Sequence, residues 1–172
     1  MSKAFTRESD DAPDRPEPRR PVSSLPPGAK NYLTADGAKR MREELDQLAN
    51  TERPRVAASG SQDETRSWLQ ALDQRILHLE HSLQTAVIVP PPALSEGVVR
   101  FGATVTVREA GGGETTYRIV GMDEVDLDRD WVSWLSPIAK ALLNARLGQR
   151  GRFRFPAGEK ELEIVGIVYG SE

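Results

Sequence analysis

Leu69-Gln70-Ala71-Leu72-Asp73-Gln74-Arg75-Ile76-Leu77-His78-Leu79-Glu80-His81-Ser82-Leu83-Gln84-Thr85-Ala86 decides the fold. Leu69, Leu72, Ile76, Leu79, Leu83 and Ala86 recur at alternating steps of three and four, the seam of a helix that buries one narrow stripe against another. The partner stripe lies upstream, where Ala38, Met41, Leu45 and Leu48 keep the same rhythm. Between the two runs stands the polar stretch Ser59-Gly60-Ser61-Gln62-Asp63-Glu64, whose glycine suits the left-handed end of a helix. Thr34 to Ala86 therefore reads as an antiparallel helical hairpin with arms of matching length and an acidic tip.

Outward from the hairpin, composition sets limits. The chain has 172 residues, an apolar fraction of 38% and a net charge of −3. That apolar share is low for one compact domain, so tail or exposed helix is expected. The charge argues against a protein that chiefly grips phosphate backbone. Without cysteine there is neither a disulfide framework nor a thiolate metal site. No run is long enough for a bilayer and no apolar signal core opens the chain, so a cytoplasmic, membrane-free protein is expected.

Residues 1–30 are rich in Asp, Glu, Arg, Pro and Ser and read as a disordered tail. Thr34 reads as the N-cap of the first helix, with Leu33 stapled to Ala38. Pro54 removes a backbone donor and predicts a kink or restart. His78 and His81 flank the seam residue Leu79 and read as surface or seam-edge side chains, not metal ligands. The hairpin occupies 31–89, and Pro90-Pro91-Pro92 opens a stiff linker over 90–96.

From Val98 the period changes to two: Val99, Phe101, Ala103, Val105 and Val107 alternate with polar residues, a half-buried strand. Gly111-Gly112-Gly113 turns into a second strand at 115–120. Asp123, Glu124, Asp126, Asp128 and Asp130 read as a solvated acidic connection, since they lack the spacing of an EF-hand loop. Trp131 to Leu135 reads as a short strand. Ser136-Pro137 opens a helix, Ser as N-cap and Pro at the first turn, and Gly148 is expected to stop it. Strands at 151–155 and 161–169 complete an antiparallel sheet on one helix, in residues 97–172. The class is α+β.

Tyr32-Leu33-Thr34-Ala35-Asp36-Gly37, Glu43-Glu44-Leu45 and Glu52-Arg53-Pro54 resemble the opening of bacterial Gre transcription elongation factors. Phe101 to Val107, Tyr117-Arg118-Ile119-Val120-Gly121, Asp123-Glu124 and Ser136-Pro137-Ile138-Ala139-Lys140-Ala141-Leu142 resemble that family's C-terminal domain, as does Pro156-Ala157-Gly158-Glu159. The resemblance implies a coiled-coil hairpin and a C-terminal domain of FKBP-like fold. It also implies docking on the rim of RNA polymerase's secondary channel, through Leu135, Ser136, Pro137, Ile138 and Lys140. The hairpin then enters the channel, where acidic tip residues help the polymerase hold a Mg²⁺ that cleaves backtracked RNA. The protein is then no enzyme itself but acts through the polymerase, as a monomer and without a cofactor of its own. It meets nucleic acid indirectly, within the transcription complex, and DNA binding stays open.

Three departures matter. The family tip reads Gly-Asp-x-x-Glu-Asn; aligned on Gly60, this chain has Ser61, Glu64 and Thr65, with Asp63 as an extra carboxylate. The hairpin is shorter than the family pattern by about a dozen residues, or roughly 10 Å of reach at ~1.5 Å per residue. Leu135 replaces an acidic residue found in some members. The favoured reading is a polymerase-binding regulator with weak or no cleavage stimulation. The alternative is a working cleavage factor using Glu64 and Asp63 toward the polymerase Mg²⁺. A third is an FKBP-like peptide binder or prolyl isomerase, which needs an aromatic pocket from Trp131, Trp134, Phe153, Phe155 and Tyr169; strand alternation places them in the core instead.

Overall fold

A computed structural model describes residues 25–58, 62–93, 97–155 and 158–170. Residues 1–24 of the tail expected over 1–30, the turn residues Ser59, Gly60 and Ser61, linker residues 94–96, Pro156-Ala157 and residues 171–172 lie outside them. Among the described residues the chain forms seven strands and four α-helices.

The hairpin follows from the seam. Strand β1 (Asn31–Thr34) leads into α1 (Ala35–Gln47), a π-helical turn (Leu48–Glu52) and α2 (Arg53–Ala58); α3 (Gln62–Thr85) returns. The outgoing elements count thirteen, five and six residues, matching the 24 of α3. Each arm is about 36 Å long at 1.5 Å per residue. The expected disturbance at Pro54 takes the form of the π turn, in which the Arg53 N–H bonds back to the Leu48 carbonyl. The wider turn accommodates a residue that has no donor and whose ring crowds the carbonyl four back. Leu33, Ala38, Met41 and Leu79 make a small buried core, with Leu45, Leu48, Leu83 and Ala86 packed on it. Farther out, Leu69, Leu72 and Ile76 are half-buried, because two helices shield only one side of a seam.

Val87-Ile88-Val89, expected only to end the hairpin, belongs to strand β2 (Ala86–Val89), paired in parallel with β1 from Asn31–Ala86 to Thr34–Val89. Parallel strands need a long crossover, and here the whole hairpin is that crossover.

The second body is a five-stranded sheet in the order β5-β4-β3-β7-β6. Its strands are β3 (Thr104–Glu109), β4 (Glu114–Val120), β5 (Trp131–Ser133), β6 (Arg150–Phe155) and β7 (Gly158–Val168). Neighbours are antiparallel except β4 and β5, which run parallel because residues 121–130 carry the chain back through two 3₁₀ turns, Met122–Glu124 and Leu127–Arg129. The sheet is thus mixed, within the expected α+β class.

Alternation correctly picks the core: Val99, Ala103, Val105 and Val107 are buried, with Ile119, Ala139, Leu142, Phe153, Leu162 and Ile164. The strand itself starts later than the alternation, at Thr104, because Gly102 takes φ 82° and turns the backbone out of extension. Tyr169 closes that end, its hydroxyl donating to the Val98 carbonyl at 2.6 Å and accepting from the Arg100 N–H at 2.9 Å; burial raises its pKa. Helix α4 (Pro137–Leu142) also ends before Gly148. Asn144, at φ 67°, supplies the left-handed residue that the sequence reading assigned to the glycine.

Candidate functional site

Three places concentrate chemistry: the loop entering α4, the distal end of the hairpin, and the junction between hairpin and sheet.

The α4 entry is built as a cap. Ser136 is extended (φ −66°, ψ 152°), and its hydroxyl accepts the Ala139 N–H at 3.2 Å. The Leu135 N–H donates to the Ser133 hydroxyl at 3.1 Å and the Ser136 N–H to the Ser133 carbonyl at 2.9 Å, so the loop is held from behind by β5. Pro137 and Lys140 are exposed, Leu135 is half-buried, and Ile138 turns partly onto the core. The five positions therefore divide: Ser136 and Ile138 hold the structure, while Leu135, Pro137 and Lys140 face outward to different degrees.

Asp63 and Glu64 lie in the first turn of α3, at the distal end of the hairpin; their side chains are outside the described set. Asp63 is nineteen residues from Ser82 at the root, about 28 Å along the helix axis at 1.5 Å per residue. The tip and the α4 entry are not brought together. Among the described residues no group of three or more His, Asp or Glu side chains could hold a metal ion, and no helix is long and apolar enough to cross a membrane.

The junction departs most from the sequence reading. Asp123 and Glu124 are not solvated: the Glu124 side chain is 1% exposed and that of Asp123 11%. Thr34 caps α1 by accepting the Gly37 N–H at 2.9 Å, and its hydroxyl donates to Glu124 Oε1. Glu124 Oε2 accepts the Thr34 N–H at 2.9 Å and the Gly121 N–H at 3.0 Å. A carboxylate at the N-terminus of α1 also meets the positive end of the helix dipole. Gly37 is required by contact: a Cβ there would lie 1.8 Å from Glu124 Oε1.

The neighbouring Asp123 holds the other arm. It accepts from the Ser82 hydroxyl and faces His78 Nε2 at 3.3 Å. Asn31 donates to the Ser82 carbonyl and hydroxyl at 3.1 Å each, tying β1 to the same point. A third contact stacks guanidinium groups on Trp131: Arg40 of α1 at 4.4 Å, Arg118 at 4.7 Å and Arg129 at 5.3 Å. Burial lowers the pKa of Arg40, opposed by Glu124 and aided by Arg118 and Arg129. Arg118 reaches Asp36 of α1 at 3.3 Å. Tyr32 packs edge-on to Trp134, with ring centroids 5.1 Å apart.

Sequence reasoning missed this junction because five acids in eight residues look alike until the hairpin arrives to bury two of them. The available signal was the pairing of Thr34-x-x-Gly37, a cap followed by a residue without a side chain, with the Gly121-x-Asp123-Glu124 turn. Four of the aromatic residues proposed for a peptide pocket are otherwise engaged: Phe153 is buried in the core, Trp134 and Tyr169 pack against it, and Trp131 lies beneath the guanidiniums, while the side chain of Phe155 is outside the described set.

The family described as "Transcription elongation factor, GreA/GreB, C-term" matches residues 94–169. The chain is 37% identical over 155 residues to transcription elongation factor GreB of Neisseria meningitidis serogroup A, covering 81% of this chain and 94% of that protein. It is 40% identical over 156 residues to transcription elongation factor GreA of Alkalilimnicola ehrlichii, covering 82% of this chain and 99% of that protein. Since 82% of 172 residues is about 141, the chain spans those 156 aligned positions about fifteen residues short. The prokaryotic elongation factor GreA/GreB of Nitrosomonas europaea, a solved structure, is 22% identical at a TM-score of 0.41, covering 82% of this chain and 99% of that one. With 40% identity sustained along 99% of the Alkalilimnicola ehrlichii GreA protein, the chain belongs to the GreA/GreB family of transcription elongation factors.

Proposed function

We propose that this family member docks on the rim of RNA polymerase's secondary channel through the α4 entry and occupies the channel with a hairpin too short to stimulate transcript cleavage. Leu135, Pro137 and Lys140 make the outward contacts, and Ser136 and Ile138 hold them in place. The observation that carries the reading is the length of the arms. Each has 24 residues, and the shortfall of about fifteen positions against the GreA relative agrees with six or seven residues missing per arm. That loss withdraws the tip by roughly 10 Å at ~1.5 Å per residue. Metal–oxygen bonds to Mg²⁺ are about 2.1 Å long, so carboxylates withdrawn that far cannot join a metal held by the polymerase. Ser61 in place of the family's tip aspartate adds to the loss. The protein then acts through the polymerase, by occupying the channel.

The test is a backtracked elongation complex with labelled RNA. The purified chain is expected to bind core polymerase, to leave the RNA uncut, and to slow cutting by a GreA protein added to the same tube. Cleavage by this chain that disappears in Asp63→Ala/Glu64→Ala would instead make it a working anti-arrest factor, with those two carboxylates as its tip.

A further inference from the structure

We infer that Glu124 is the positioning residue of the hairpin: it fixes the angle at which the arms leave the sheet and so, on the docking reading above, where the tip stands in the channel. The backbone passes from hairpin to sheet once, through the connector that begins Pro90-Pro91-Pro92. One connector leaves rotation about itself unset, so side-chain contacts must define the angle. Glu124 grips the hairpin where β1 becomes α1, with both oxygens engaged by Thr34 and the carboxylate pressed against the bare Cα of Gly37. Its neighbour Asp123 holds α3 at Ser82 and His78. Two adjacent residues of one 3₁₀ turn therefore hold one arm each, and pivoting about either contact breaks the other. The turn is also linked to the docking loop: Arg40, which approaches Glu124 at 3.8 Å, lies on Trp131, the first residue of the strand leading to Leu135.

The natural absence of cysteine makes this measurable in the full chain. Nitroxide labels at Gln70→Cys on α3 and Arg152→Cys on β6, both exposed positions, report the angle as a distance distribution by double electron–electron resonance. The parent is expected to give one narrow distribution. Glu124→Ala, and Gly37→Ala from the opposite side of the same contact, are expected at least to double its width, while Thr34→Ser, which keeps the hydroxyl, stays narrow. Should Glu124→Ala fail to fold, Glu124→Gln keeps the size, loses one acceptor and is read the same way. Distributions as narrow as the parent's in both the Glu124 and Gly37 variants overturn the inference.

With core polymerase, the Glu124 variant is expected to bind within twofold of the parent yet to lose at least fivefold in suppressing cleavage by added GreA. A parallel loss of binding would show that the residue merely supports the docking fold and overturn the positioning role. A parent chain that does not bind polymerase would overturn the docking reading, while the label distances still decide the role of Glu124.

Discussion

Ser136 shows how one side chain serves structure while its neighbours are left for function. Its hydroxyl satisfies an otherwise free N–H at the start of α4, so Ser136→Ala is expected to lower the stability of the sheet body by about 1 kcal/mol, the usual cost of losing a cap. Leu135→Asp and Pro137→Ala remove no such bond. Each should weaken polymerase binding while leaving the thermal melt in place, and unchanged affinity in both would put the docking surface elsewhere. Ser-Pro was readable because a cap is local chemistry, set by a hydroxyl and the first turn that follows it. Glu124 was not, because its burial depends on Thr34, 90 residues away in sequence, and on Gly37 beside it. The charges around Trp131 teach the same lesson: nothing in Arg40, Arg118 or Arg129 alone announces that they share one indole.

The hairpin was legible as an element, and for a physical reason: a two-helix seam must repeat every three or four residues, whatever else the sequence does. Its braces were less so. Arg75 of α3 forms a two-pronged pair with Glu44 of α1 at 2.8 and 2.9 Å, and Arg53 donates to Asp73 at 2.6 Å across the arms. The Arg53 hydrogen bond lowers the Asp73 pKa, since it favours the charged carboxylate. A carboxylate whose folded pKa is depressed contributes stability above its unfolded value and loses that contribution as pH falls through the folded one. Asp73 should therefore titrate below an ordinary aspartate when its carboxyl carbon is followed by NMR, and Arg53→Gln should return the midpoint to the ordinary range. Equal midpoints in the two proteins would mean the brace does not form in solution. Element ends were the weak point of the sequence reading. Asn144 stops α4 ahead of Gly148, and Gly102 delays β3, because one left-handed residue outweighs a continuing apolar pattern.

Hairpin and sheet each close a core of their own: Leu33, Ala38, Met41 and Leu79 in one, Val99 to Ile164 in the other. The contacts between them join the polar groups of Glu124, Asp123, Arg118 and Arg40 to the aromatic packing of Tyr32 on Phe101 and Trp134. We expect residues 97–172 to fold alone, with a cooperative melt by circular dichroism, and a featureless melt would count against that boundary. If the two bodies are separable and joined at a set angle, arm length becomes the variable that decides activity. An insertion of seven residues in each arm, keeping the heptad rhythm next to the tip, advances the tip by about 10 Å and holds the seam on one face, since seven residues make close to two turns. Joined to Ser61→Asp and Thr65→Asn, that insertion restores both the reach and the tip residues in which this chain departs from the family. The lengthened protein is expected to cut RNA in a backtracked complex where the parent does not, and to lose that gain in Glu64→Ala. The angle matters to this outcome as much as the length, so adding Glu124→Ala to the lengthened protein should reduce cutting while leaving polymerase affinity near that of the parent. A lengthened hairpin that binds as well as the parent and still leaves RNA uncut would show that reach is not what separates this chain from a cleavage factor.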